Sequence, residues 1–190
     1  MTAAGSDAPV RFYRCTDPAR LGVPPDGARR AQVRLWRPGD TAPGPDSFTG
    51  RAHLAYLAFH RLGVFANRDY SALCLEDETG RPLHVSYIFP RFFRFPFMAA
   101  DDLQIGATYT DPDARGRGLA QRGLIEAVRR LACPGRAFWY LTETANAASC
   151  TVAEKAGFDL AGHGVRVPRL GIDALSAYRL TRSDPGAARK

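Results

Sequence analysis

Tyr109-Thr110-Asp111-Pro112-Asp113-Ala114-Arg115-Gly116-Arg117-Gly118-Leu119-Ala120 runs from a strand-like stretch through two glycines into a helical one. Such a bend leaves several backbone N–H groups unpaired at the positive end of a helix dipole, and glycine lets another molecule approach the main chain closely. It reads as a phosphate cradle. On the glycines alone, the alternative that Gly116 and Gly118 only make a tight turn stays open. The surroundings favour an anion: from Arg115 to Arg136 there are six arginines against one acid, Glu126. A Walker loop requires a lysine after its last glycine, and none is present. A dinucleotide fingerprint requires a third glycine where Gln121 stands. The pattern that does fit is R-x-x-G-x-A, Arg115 to Ala120.

Working outward, Leu124, Ile125, Val128 and Leu131 hold one face of the helix that follows, and Leu103 to Thr110 is the strand that precedes it. Phe138 to Thr142 reads as a further strand. Ala147 to Ala156 reads as a helix capped by Asn146 and ended by Gly157. Leu160 to Val167 and Ala177 to Thr181 are strand-like. Upstream, Tyr70 to Glu76 and Leu83 to Phe89 flank a turn at Gly80 as a hairpin. From Gly50 to Gly63 the apolar residues Leu54, Leu57, Ala58 and Leu62 mark an amphipathic helix. The first 50 residues hold six Gly and seven Pro, and this front is expected to be loop-rich. Within it, Val10 to Arg14 and Gln32 to Trp36 alternate weakly as strands, one of them at a sheet edge. An antiparallel hairpin followed by alternating strands and helices predicts an α/β or α+β mixed sheet in one domain, 1–190. It divides into a loop-rich segment 1–45, a core 46–182 and a frayed tail 183–190.

At 190 residues and 45% apolar the chain can bury an ordinary core, which sets aside disorder and disulfide scaffolds. No apolar run is long enough for a bilayer and no secretory signal is evident at the front, so the chain reads as soluble and cytoplasmic. Cys15, Cys74, Cys133 and Cys150 form no paired motif, so no metal site is expected and four buried thiols are. The net charge of +7 raises a nucleic acid as partner, but the excess gathers beside one bend, where a small anion would lie.

Arg115 to Ala120 resembles the coenzyme A pyrophosphate loop of the GNAT N-acetyltransferase superfamily. Downstream, Asn146-Ala-Ala-Ser149-Cys-Thr-Val152-Ala153-Glu154-Lys155-Ala156-Gly157-Phe158 looks like that superfamily's second signature, N-x-x-[AS]-x-x-[LV]-Y-E-K-x-G-F. The resemblance covers about Tyr70 to Leu180. It implies a mixed, strongly twisted sheet of about seven strands with helices on both faces, split between the fourth and fifth strands, those ending near Thr110 and Thr142. It implies acetyl-CoA as co-substrate, a small amine acceptor and no membrane partner, and it is compatible with a homodimer. By the same resemblance, the amides of Arg115, Gly116, Arg117, Gly118, Leu119 and Ala120 would hold the pyrophosphate. Main-chain groups of Tyr109 and Thr110 would pair with the pantetheine arm, and Asn146 would touch the arm from the other side or serve only as a helix cap.

Acetyl transfer needs a neutral amine, a polarised thioester and a proton for the departing thiolate, or tolerance of its charge. The superfamily's usual acid is a tyrosine where this sequence has Ala153. Ser149 or Cys150, one turn earlier on that helix, or Tyr109 or Tyr140 on the flanking strands, are candidate replacements, with Ser149 favoured. Glu143, just past a strand end, and His84, on one strand face with Ser86, are candidate bases. The run Pro90-Arg91-Phe92-Phe93-Arg94-Phe95-Pro96-Phe97-Met98 either stacks a sugar or base ring or sends its phenylalanines into the core. Together with His84-x-Ser86 it looks similar to members acting on amino sugars. Two other functions stay open: a catalytically silent CoA-binding fold, and a basic nucleic-acid-binding module.

Overall fold

The computed structural model describes residues 8–41, 51–169 and 172–182. Eight strands form one sheet: β1 (Val10–Cys15), β2 (Gln32–Trp36), β3 (Ser71–Glu76), β4 (Pro82–Pro90), β5 (Leu103–Thr110), β6 (Phe138–Glu143), β7 (Asp159–Arg169) and β8 (Ile172–Arg182). Their order is β2-β3-β4-β5-β6-β1-β7-β8. Three helices accompany them: α1 (Arg51–Arg61), α2 (Leu119–Leu131) and α3 (Ala147–Ala156). The mixed sheet with helices on both faces is as expected, but it has eight strands rather than about seven. Both weak alternations of the front take part. β2 forms one edge, whereas β1 lies inside the sheet between β6 and β7. The tail expected to fray lies outside the described residues.

All neighbours are antiparallel except β5 and β6, which run parallel through only three pairs, Leu103 with Phe138, Gln104 with Trp139 and Ile105 with Tyr140. Beyond them each strand follows its outer neighbour. β5 stays with β4 as far as His84 and Thr110, and β6 stays with β1 as far as Val10 and Glu143. The sheet therefore forks, with its apex at Ile105 and Tyr140. A buried carboxylate pins the closed end: Asp102 accepts from the amides of Ala99 and Ala137 and from the Trp139 indole at 2.9–3.0 Å. Three donors offset the desolvation of that charge.

Two cores result. On one face α2 and α3 bury Leu124, Ile125, Val128 and Ala153 against Leu73, Ile88, Leu103 and Ile105. On the other, Trp36, Tyr70, Tyr87, Phe89 and Trp139 form an aromatic layer under α1. Phe92, Phe95 and Met98 are buried in that layer, and Phe93 and Phe97 pack against it, so the phenylalanines of the arginine-aromatic run anchor the core rather than offering a stacking platform. The buried face of α1 also departs from expectation. Leu54 and Leu62 are 64% and 78% exposed, while His53, Tyr56, Leu57 and Phe59 face the sheet. A stripe drawn through aliphatic residues missed the aromatic one, which removes more apolar area from water. Three cysteines are buried, and Cys133 is exposed. No helix among the described residues is long and apolar enough to cross a membrane.

Candidate functional site

The fork opens into a cleft of about 610 Å³ between β5 and the bend on one side and β6 and α3 on the other. Its anion-facing part is built by the bend. Asp111 accepts from the Asp113 amide at 2.9 Å and ends β5 in a short 3-10 turn, Pro112–Ala114. That amide and Arg81 hold the Asp111 carboxyl below its usual range. Gly116 and Gly118 then take left-handed conformations, φ +76° and +78°. A Cβ on Gly118 would lie 2.4 Å from the Pro25 ring, so glycine is required there twice over. Around Gly116 a Cβ would meet nothing within 4 Å, and that backbone stands open. The first backbone bond of α2 runs from the Arg122 amide to Gly118 O, 3.0 Å, so the amides before Arg122 have no intrahelical acceptor.

Most of the expected cofactor residues meet here. Thr110, Arg115, Gly116, Gly118, Leu119, Ala120 and Asn146 line the cleft, and so do Tyr140 and Ser149. Arg115 Nε donates to Thr110 O at 3.3 Å, which folds its guanidinium back along the bend. The Arg117 side chain differs: it bonds Asp113 O and lines a separate cavity behind the bend, leaving only its amide on the cleft's loop. Asn146 caps α3, its Oδ1 accepting from the Ser149 amide at 3.0 Å.

Sequence reasoning did not foresee Thr108, Gln121 and Lys155 in the lining. Thr108 was hidden by a bulge. The β4–β5 register shifts between Val85 and Tyr87, and Ala107 sits at φ +46°, rare for a residue with a side chain. The shift reverses the alternation, so Thr108 and Thr110 line the cleft while Tyr109, between them, turns its side chain to the other face. On α3 the signal was available, because Ser149, Val152 and Lys155 recur at helical spacing from Asn146.

The candidate bases are not in the cleft. His84 is fully buried in β4, so it cannot meet an acceptor, a correction that the two-residue period could not supply. Its ring nitrogens lie 2.7 Å from Thr110 Oγ1 and 2.8 Å from Ser86 Oγ. Burial lowers its pKa to about 4, leaving it neutral near pH 7. Glu143 is exposed at the end of β6 and lines a small cavity of about 80 Å³ with Arg166 and Tyr178. Its side chain lies on the sheet face opposite to that of Tyr140.

The sequence profile of the acetyltransferase (GNAT) family matches residues 38–158, spanning bend, fork and both helices that face the cleft. The chain belongs to the GNAT acetyltransferase family. Solved structures sharing this GNAT fold include a Drosophila protein (TM-score 0.57, 19% identity, covering 85% of this chain and 50% of that one). Another is a GCN5-related N-acetyltransferase from Sphaerobacter thermophilus (TM-score 0.53, 16% identity, covering 83% and 50%). At such identities the likeness is one of fold, and the chain spans about half the length of these two. No curated protein matches the sequence.

Proposed function

We propose that this GNAT protein is an acetyl-CoA-dependent N-acetyltransferase that moves an acetyl group to the amine of a small molecule by direct attack. The observation that carries the reading is the open cleft at the N-terminal end of α2, which the protein's own side chains leave unfilled. The free amides and the adjacent Arg115 suit a diphosphate. Past Ile105 the β5 edge facing β6 has no partner strand, which leaves room beside Thr108 and Thr110 for an extended arm to lie along it, with Tyr109 and Thr110 as its proposed main-chain contacts. Asn146 faces that arm from α3 while its Oδ1 caps the helix. Acetyl-CoA would supply the activated acyl carbon. The far face of the fork, where Glu143 stands, is the approach for the amine, and Glu143 takes up the amine's surplus proton through solvent.

The rival reading of a nucleic-acid module loses support from the same residues. Arg122 donates to Ala28 O, Arg129 and Arg130 approach Glu126, and Arg136 pairs with Asp69 at 2.6 Å. With Arg115 and Arg117 bonded to Thr110 O and Asp113 O, all six arginines thus have partners within the chain.

Gly116 provides the test, because Asn and Asp both tolerate the left-handed conformation and only Asp adds charge. Acetyl-CoA at about 100 times its Kd should stabilise the wild type by roughly 2.7 kcal/mol in thermal unfolding. Gly116→Asn should keep most of that stabilisation and Gly116→Asp should abolish it. No shift of the wild-type Tm with acetyl-CoA or CoA would sink the assignment.

A further inference from the structure

An amine that attacks a thioester expels a thiolate, and the cleft must either donate a proton to the sulfur or bear its charge. Ala153, completely buried, offers nothing. The hydroxyls lining the cleft are those of Thr108, Thr110, Tyr140, Ser149 and Thr151. Thr110 is engaged with His84, and Thr151 donates to Ala147 O at 2.9 Å. Of the remainder only Tyr140 is a phenol, far more acidic than an aliphatic alcohol and closer to a thiol. Two other phenols come near without qualifying. Tyr13 donates to Glu154 Oε1 at 2.9 Å, and neither it nor Tyr109 lines the cleft, whereas Tyr140, 5% exposed, does.

Position points the same way. A carrier held by its diphosphate at the bend can extend its arm only along the free edge of β5, away from Thr110 and towards the apex. That path covers five residues, about 17 Å of strand. At the apex stands Tyr140, paired with Ile105 in the last rung before the strands part. Lys155, the cationic alternative, belongs to the opposite end, where its carbonyl accepts from Gln121 in the first turn of α2.

We infer that Tyr140 is a catalytic residue, the acid that protonates the departing thiolate. As the amine nitrogen bonds to the acyl carbon and the C–S bond breaks, the electron pair passes to sulfur. The Tyr140 phenol gives its proton to that sulfur, producing the free thiol of CoA, and is reprotonated from solvent in the cleft. The amine's surplus proton leaves separately on the Glu143 side. The inference rests on the proposed acetyl-CoA site and gives it the acid that Ala153 cannot provide.

The test needs no known acceptor. Calorimetric titration of the full chain with CoA and with desulfo-CoA, from pH 6.5 to 9, isolates what the sulfur contributes. The wild type should prefer CoA over desulfo-CoA by about tenfold, and the preference should grow with pH as the bound thiolate gains the phenol's hydrogen bond. Tyr140→Phe should cut the preference to less than about threefold and flatten its pH dependence, while desulfo-CoA affinity stays within about twofold. A merely structural role would change both ligands alike. Ser149→Ala should leave the preference intact. If Tyr140→Phe keeps the preference, or Ser149→Ala removes it, Tyr140 is not the acid although the cofactor site stands. If neither ligand binds the wild type, the cofactor site falls and this inference with it.

Discussion

Two cavities of equal size, about 610 Å³ each, flank the bend, and both touch Leu119. The cleft in the fork is lined by backbone at Gly116 and Gly118, by small hydroxyls, and by Arg115 and Lys155. The hollow behind the bend is lined by Asp26, Asp77 and Glu78 with Arg30 and Arg117. Two of its three acids are already engaged. Asp26 pairs with Arg29 at 2.9 Å, and Asp77 accepts from Thr79 and from the Arg81 amide, which holds its carboxyl below the usual range. Volume does not separate the two; the sign of the charge and the aim of the amides do. An anion placed in the hollow would face three carboxylates, whereas in the cleft it faces the open backbone at Gly116 and the positive end of α2, with no carboxylate among the described residues of the lining.

The walls differ as well, and the largest expected effect follows from that. The hollow's Asp77 turn is a surface loop held by local bonds, but the cleft's wall at Thr110 leans on a buried histidine. With a folded pKa of about 4 against an ordinary 6.5, His84 binds its proton in the unfolded chain first. Its contribution is therefore complete above about pH 6.5 and is lost as the pH falls from there towards 4, by up to about 3 kcal/mol. His53 and His60 shift in the same direction through burial, so the wild-type slope is shared. Denaturant unfolding of the wild type and His84→Gln at pH 7 and pH 5 separates them: the variant should lose less stability on acidification. Equal losses would mean that His84 does not stiffen the wall against acid.

Next in size is a charge reversal on either side of the bend. Arg115→Glu should weaken acetyl-CoA binding by at least about tenfold, because it places a carboxylate beside the amides that would hold phosphate. Arg117→Glu, whose side chain points into the hollow, should weaken it by less than about threefold. Calorimetry on both variants decides the matter, and equal losses would erase the distinction between the cavities.

How much of this was legible beforehand varies with the range of the forces involved. The bend and α3 were readable because a cap, a glycine stop and a helical stripe act within a few residues: α3 runs from Ala147 to Ala156 as read, and α2 buries Leu124, Ile125, Val128 and Leu131. β1 and β2 looked alike in sequence, yet one is interior and the other an edge, since their partners lie more than 30 residues away. Tyr109 and Thr108 exchanged faces because one residue, Ala107, adopted a conformation that its own side chain disfavours. The depth of His84 came from a helix packed over the sheet. A Cβ on Gly123 of α2 would lie 2.6 Å from its ring, an approach that no two-residue period encodes.

The smallest effect is at Asn146, where cap and contact can be told apart. Asn146→Ala removes the oxygen that accepts the Ser149 amide and should cost about 1 kcal/mol of stability. Asn146→Asp keeps an accepting oxygen and adds a negative charge at a helix N-terminus, which is neutral or slightly stabilising. The same change strips the side chain of its amide donors and sets a carboxylate on the cleft wall opposite Thr110. Acetyl-CoA affinity should therefore fall about threefold to fivefold in Asn146→Asp while its Tm without ligand stays within a degree or two of the wild type. If Asn146→Asp binds acetyl-CoA as tightly as the wild type, Asn146 is a cap alone, and the α3 side of the fork contributes shape to the cleft but no polar contact from this residue.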